Sequence, residues 1–560
     1  MRKLKGKQIF MEGLLAAGVR KLFGNPGTTE MPLMDSLTDY PEMEYYLALH
    51  EGVAVGMADA FALASGTPGV VNLHVAPGLG NGLGMVYNAW AGRSPLLVTA
   101  GQQDTRMRLH DPLLAHDLVA MAAPLVKLSV QAEHADELPL LMHRCLKTAL
   151  EAPRGPVFLS LPLNVMEETT SAPVMERPHV FARTRPDPEA VEEAVAILLE
   201  ARHPAIVCGE GVFRSRAQGA LVAVAELLGA PVWNTVLPAA VNFPMTHSQY
   251  RGEMPGDAAR VRQMLGPADA VLLVGGDFFK EIFHTTQSPS PEDAALIQID
   301  VAPEPMARNL SVRIGMTADP KAALEALHDE LLVSAPPGFH ATVQARHEKL
   351  AGLKKQDRER LKTRLQKGWG KRPMSTARVM HELKGALPDG AVVVSEAITA
   401  NTDLMRTLRL DRPGDYYGSR GGGIGQALPG ALGFQLAHPD RRVVAVSGDG
   451  SSLYSIQALW TAAHHGLPVV FVILNNRTYR ILKINMDRFR SDFGLGGERP
   501  YPHMDLTEPT LDYVHLAKGF GVPAKRIEDP DKLGAAFRAA FRSGGPYLLD
   551  VAVDGTWPPR

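Results

Sequence analysis

Short uninterrupted apolar runs, each followed by a segment long enough for a helix, recur along the whole chain and constrain its fold more than any other feature. They occupy residues 20–23, 69–73, 96–99 and 157–161 in the first third, 204–207, 270–274 and 296–299 in the middle, and 391–394, 442–446 and 469–474 in the last. A strand that is apolar on both faces must be covered on both, and a helix between successive strands supplies the crossover that parallel pairing needs. The expected fold class is therefore α/β, with parallel sheets flanked by helices. A chain of 560 residues is too long for one core, and roughly 150 residues per domain gives three or four domains.

Charge narrows the function. Lys plus Arg is 58 and Asp plus Glu is 60, so no general field draws the chain to nucleic acid or an anionic membrane, and neither is expected as a partner. The 45% of hydrophobic residues excludes disorder as the main state. Cys145 and Cys208 have neither C-x-x-C spacing nor the density of a disulfide framework, which fits a reducing, cytoplasmic location and argues against structural zinc. The longest uncharged window, 60–92, could span a membrane by length but holds Pro68, His74 and Pro77, and reads as loop and buried helix. The basic start (Arg2, Lys3, Lys5, Lys7) leads into an amphipathic helix around Ile9, Phe10, Leu14 and Leu15, not a secretion signal. Prolines 173, 178, 186 and 188 mark a linker, and the charged stretch 346–371 reads as a connector with a solvated face.

Three glycine-rich stretches invite a dinucleotide reading, at Gly78, Gly209 and Gly423. Each fails it, because Leu83, Arg214 and Leu428 stand where G-x-G-x-x-G needs its third glycine. The strongest constellation is Gly448-Asp449-Gly450, then one helix-length segment (452–466), one strand (469–474), and Asn475-Asn476. That spacing describes a single βαβ unit with Asp449 and Asn476 at the carboxyl ends of neighbouring parallel strands, where α/β sheets bind ligands. Both side chains offer hard oxygens suited to Mg²⁺, and the helix opening at Gly450 and Ser451 offers N–H groups to a diphosphate. Taken singly, Asp449-Gly450 is equally an ordinary turn and Asn475-Asn476 a polar strand exit.

G-D-G followed about two dozen residues later by N-N resembles the signature of thiamine diphosphate (ThDP) enzymes. The likeness is distributed: 23–30 (FGNPGTTE), 47–51 (LALHE), 72–81 (NLHVAPGLGN), 94–103 (SPLLVTAGQQ) and 421–433 (GGGIGQALPGALG) look like benzoylformate decarboxylase and related acetolactate synthase-like proteins. The resemblance implies three parallel-sheet α/β domains: pyrimidine-binding (1–170), central Rossmann-like (185–340) and diphosphate-binding (365–560). It implies that Glu51 hydrogen-bonds the aminopyrimidine ring, that Ile424 wedges under the cofactor, and that the Gly422 carbonyl takes the exocyclic amine. Thr399, Gly450, Ser451 and Tyr479 complete the implied cofactor site, and the Thr478 carbonyl joins Asp449 and Asn476 on Mg²⁺, for which Ca²⁺ can substitute. By its residues alone, Glu51 is equally an acid favouring a helix N-terminus.

By the same resemblance His74 transfers protons, a task suited to imidazole near neutral pH, although a strand-end histidine is more often structural. Thr28 stands where these enzymes have a hydroxyl that meets the substrate carboxylate; its other reading is a turn or helix cap. His284 lies near the second active-site histidine or is simply on the surface. Leu113 and Leu114 resemble an apolar substrate wall, or are plain core, and Ile481 occupies a small-residue position of the acyl pocket. The pair His464-His465 is accounted for by a favourable helix C-terminus. The expectation is a Mg²⁺- and ThDP-dependent decarboxylase of a small-molecule, aromatic 2-oxo acid, with carboligation of pyruvate as the alternative. The family implies a homodimer at least, with a homotetramer expected; FAD is not expected.

Overall fold

The computed structural model describes residues 2–176, 182–497 and 499–557; Pro178 of the expected linker lies outside them. Three six-stranded sheets follow one another along the chain. The first holds β1 (Lys21–Gly24), β2 (Glu44–Leu47), β3 (Gly69–Leu73), β4 (Leu96–Gln102), β5 (Ser129–Gln131) and β6 (Val157–Pro162) in the order β2-β1-β3-β4-β6-β5. The second holds β7 (Pro204–Cys208), β8 (Val232–Asn234), β9 (Tyr250–Glu253), β10 (Ala270–Val274), β11 (Ala295–Asp300) and β12 (Ile314–Thr317), ordered β9-β8-β7-β10-β11-β12 as in doubly wound folds. The third holds β13 (Val392–Glu396), β14 (Tyr416–Gly418), β15 (Val443–Gly448), β16 (Val469–Asn475), β17 (Ala524–Ile527) and β18 (Tyr547–Ala552), ordered β14-β13-β15-β16-β18-β17. The first and third sheets therefore share one topology, and every pairing within the three is parallel. Among the described residues, no helix is long and apolar enough to cross a membrane.

The expected apolar runs all became strands, because each is buried on both faces. Short edge strands such as β2, β5 and β14 went unread, since they carry polar or aromatic residues and only the neighbouring strand defines them. The charged connector is a helix, Phe339–Lys367, in which only Val343 and Leu350 are buried. Its cations do more than face water: Arg346 donates to the carbonyls of Leu228 and Ala201, and Lys354 to those of Met245 and Tyr250, closing open ends of the middle domain.

The segment 452–466, expected as one helix, is broken into Asp449–Ser452 and Ala458–His464. The reason is partly tertiary. The Asp449 carbonyl that would accept the helical bond takes hydroxyls instead, from Ser452 (2.8 Å) and from Tyr513 (2.6 Å).

The first and third domains meet through two helices of small residues, α1 (Glu51–Ser65) and α2 (Ala427–Ala437). Val53, Met57 and Phe61 belong to the same apolar cluster as Leu428, Leu432 and Phe434. The approach is close enough that a Cβ on Gly433 would lie 2.2 Å from the Met57 carbonyl oxygen, and one on Gly56 would lie 2.9 Å from Pro429. Beside them, buried Asp59 pairs with Arg420. Gly433→Val is expected to destabilise the protein by about 1–3 kcal/mol through overpacking. Gly385→Ala, in a helix with open space at the Cβ position, should gain up to about 1 kcal/mol of helix propensity. Urea denaturation of the two variants checks the contrast.

Candidate active site

Asp449 and Asn476 lie just past paired β15 and β16, whose register sets Gly448 opposite Leu474. Asp449 Oδ1 accepts from the Gly450 N–H (2.9 Å) and Oδ2 from the Arg477 N–H (2.6 Å), so its two oxygens tie the two turns together. Asn476 Oδ1 accepts from the Thr478 N–H (3.0 Å), and the Thr478 hydroxyl donates to the Met504 carbonyl (2.7 Å). A Cβ on Gly450 would sit 2.3 Å from the Tyr479 ring, so the ring requires glycine there. Ser451 is buried beside them.

Burial pushes the Asp449 carboxyl up to about 6, and among the described residues no Lys, Arg or His forms an ion pair with it. A buried, unneutralised carboxylate beside an amide oxygen is a donor set that fits a hard divalent cation. Among the described residues there is no cluster of three His, Cys, Asp or Glu.

The glycine loop preceding α2 lies against the end of β13. Gly421, Gly422 and Gly425 have φ of 71, 90 and 97°, which a side chain would oppose. Glu396, the last residue of β13, accepts from the N–H groups of Gly425 (2.7 Å) and Ala427 (3.2 Å); burial pushes its carboxyl up to about 7. Asn88 grips the same loop from the first domain, donating to the Gly423 carbonyl and accepting from the Gly423 N–H, both at 3.0 Å. Gly422 is exposed and Ile424 half-buried. Ile398 at φ 38° strains the turn that carries Thr399.

Glu51 opens α1, is 8% exposed, and accepts from Asn25 (3.3 Å) and Asn81 (3.1 Å). His74 directly follows β3, and Gly78 fits between the two: a Cβ there would be 3.2 Å from His74 Cβ and 3.3 Å from Glu51 Oε1. His74 Nδ1 meets Glu30 Oε2 at 2.7 Å. Glu30 is 2% exposed and fully engaged, since it also accepts from the N–H groups of Gly27 (2.8 Å) and Gly101 (2.9 Å) and from the Thr29 hydroxyl (2.7 Å). With Nδ1 committed to a fixed carboxylate, the imidazole has a set orientation and Nε2 is its remaining functional nitrogen.

One helix joins these groups. In Val75–Ala91, Asn81 reaches Glu51, Met85 would meet a Cβ on Gly425, and Asn88 holds Gly423, a spacing of i, i+4 and i+7 along one face.

Other candidates stand apart. Thr28 is exposed, and it is Thr29 whose hydroxyl lies 3.3 Å from His74 Nδ1. His284 is exposed on an irregular stretch of the second domain, Leu113 and Leu114 are 81 and 41% exposed, and Ile481 is half-buried. Sequence reasoning missed Glu30, Glu396, Asn25, Asn81 and Asn88. Three of them carried a signal, Asn25 and Glu30 within the 23–30 motif and Asn81 closing the 72–81 motif.

Residues 4–121, 191–327 and 398–551 match the N-terminal TPP binding domain, the central domain and the C-terminal TPP binding domain of the thiamine pyrophosphate enzymes. The chain is 35% identical to benzoylformate decarboxylase of Pseudomonas aeruginosa, covering 95% of this chain and 96% of that one. It is 26% identical to the acetolactate synthase isozyme 3 large subunit of Escherichia coli, over 99 and 96% of the two chains. The solved ThDP-dependent 4-hydroxybenzoylformate decarboxylase of Rhodococcus jostii RHA1 superposes with a TM-score of 0.85 at 29% identity, covering 98 and 99%. Three parallel-sheet domains in this order, with these matches, make the chain a member of the ThDP-dependent enzyme family.

Glu30→Gln removes the charge that orients His74 and turns an amide NH2 toward groups that donate to Glu30. Turnover of the ThDP-loaded protein should fall by about 10²-fold or more, and stability by about 1–3 kcal/mol because a buried donor is left unsatisfied; steady-state kinetics beside urea denaturation test this.

Proposed function

We propose that the protein is a Mg²⁺- and ThDP-dependent decarboxylase that converts an aromatic 2-oxo acid of the benzoylformate kind to an aldehyde and CO₂. The observation that carries this reading is the Glu30–His74 pair one glycine away from Glu51, a prepared proton donor beside a buried carboxylate. The 35% identity to a benzoylformate decarboxylase supports the substrate class.

In this reading Asp449, Asn476 and the Thr478 carbonyl would hold Mg²⁺, with Gly450, Ser451 and Tyr479 against the diphosphate. The Gly422 carbonyl, Ile424 and Thr399 would orient the two rings. Bound ThDP supplies a nucleophilic carbon and a sink for the electrons that CO₂ leaves behind. Glu51 holds a proton at its carboxylate for exchange with the aminopyrimidine ring nitrogen. His74 Nε2 gives the proton that the departing aldehyde carries and recovers it from water. Thr28 and His284 would meet the substrate, and Leu113, Leu114 and Ile481 would wall it, once a second copy covers them. The exposure of Leu109 (94%) and Leu113 (81%) on one loop supports such a homodimer, or a tetramer of two. The division into domains at 1–170, 185–340 and 365–560 belongs to this reading.

The likeness to acetolactate synthase large subunits supports a second reading, in which pyruvate is ligated to a second carbonyl. NMR analysis of products after separate incubation with benzoylformate and pyruvate separates the two. Benzaldehyde is expected from the first, whereas acetolactate or acetoin from the second alone would sink the decarboxylase reading. Light scattering on the same preparation should give at least twice the chain mass of 60.5 kDa. Glu51→Gln should lower turnover by about 10²–10⁴-fold while ThDP binding, read by titration calorimetry, is retained; near-normal turnover would remove Glu51 from the mechanism.

A further inference from the structure

Leu47 ends β2, the edge strand of the first sheet, four residues before Glu51. The Ala48 N–H bonds inward to the Gly24 carbonyl (2.9 Å), so the N–H and C=O of Leu47 point out of the sheet. Both are met by a helix of the third domain, Ala458–His464 and its C-terminal residue. The Leu47 N–H donates to His465 Nε2 (3.1 Å), and the Thr461 hydroxyl donates to the Leu47 carbonyl (3.2 Å). Thr461 is fully buried. The His465 ring packs on Tyr46, with centroids 4.9 Å apart. At the other end of the short link, His50 Nδ1 accepts from the Gly52 N–H (3.0 Å), capping α1 just after Glu51.

We propose that His465 is a positioning residue: with Thr461 it clamps the Leu47 peptide from the neighbouring domain and so fixes where Glu51 enters the active site. The inference rests on the reading of Glu51 as a catalytic group. It corrects the expectation that His464-His465 merely favours a helix C-terminus, since that role wants a protonated ring. To accept from Leu47, Nε2 must carry no proton, and the ring is then the neutral Nδ1–H tautomer.

The surroundings favour that form. Burial, then the neighbouring His464, lowers the His465 pKa. Across the boundary stand Tyr46 and the Lys21–Glu44 pair, in which Lys21 Nζ reaches both Glu44 Oε2 (2.7 Å) and the Tyr46 hydroxyl (3.0 Å), so Glu44 is neutralised before it could draw a proton to the imidazole. His464 stacks on Trp460 with centroids 4.6 Å apart and faces solvent. Acidification therefore places an Nε2–H against the Leu47 N–H and opens the clamp, leaving only the Thr461 bond.

The test uses the ThDP- and Mg²⁺-loaded protein and three variants. His465→Phe keeps an aromatic ring against Tyr46 but removes the acceptor. His465→Gln supplies an amide oxygen that does not titrate, and Thr461→Val removes the hydroxyl alone. Hydrogen exchange of the Leu47 amide is expected to accelerate about two- to tenfold in His465→Phe, the range one hydrogen bond supports. The kcat should fall severalfold at constant KM. His465→Gln should restore both at pH 7 and hold them at acid pH, where the parent loses Leu47 protection. Unchanged Leu47 exchange in His465→Phe, or in Thr461→Val if the former does not fold, would overturn the clamp. Faster exchange with unchanged kcat, in a protein where Glu51→Gln is inactive, would overturn the positioning role. If Glu51→Gln is itself active, the reading of Glu51 fails, whatever the exchange data show.

Discussion

The packing of two small-residue helices, Glu51–Ser65 on Ala427–Ala437, is the contact on which the rest of the site depends. Glycine at 56 and 433 lets the backbones approach so closely that neither position has space for a methyl group. That approach fixes the first domain against the third, and both helices begin at the candidate site: one at Glu51, the other directly after the glycine loop that Glu396 holds. A shift between these helices would move both ends of the site at once, because packed interiors do not deform continuously.

Around that contact the chain places polar bridges where the two domains would otherwise present unpaired groups. Asn88 satisfies both backbone groups of Gly423, Arg420 neutralises buried Asp59, and His465 with Thr461 satisfies Leu47. Each removes the penalty of a buried unpartnered donor or acceptor. Each also runs between domains, so satisfaction of hydrogen bonds and alignment of the site are the same event. The site's carboxylates are not equivalent. Glu30 is fully engaged and serves to orient, whereas Asp449 is buried and forms no ion pair among the described residues, which leaves it suited to a cation.

Much of this was legible in the residues. The βαβ spacing from Asp449 to Asn476 could be counted along the chain, and the structure sets the two turns side by side as the spacing requires. The identification of Glu51 and His74 came from motif likeness, and the fold brings them together around Gly78. Glu30 was harder, because an acid three residues after a Pro-Gly turn looks like any helix-start residue until His74 is seen beside it. Asn25 and Asn81 stand inside the quoted motifs and Asn88 outside them, but none showed its role, since an asparagine's partner is set by what lies across space.

The sequence by itself determined the α/β class, because uninterrupted apolar strands and helix-length crossovers admit little else. It also determined the family, because glycines and acids at fixed spacing recorded close approaches that no other residues satisfy. Only the tertiary structure decided which carboxylate orients His74, why the helix after Asp449 breaks, and that His465 accepts rather than donates. These turn on contacts between residues dozens to hundreds of positions apart, and local pattern carries no information about a hydrogen bond whose partner belongs to another domain.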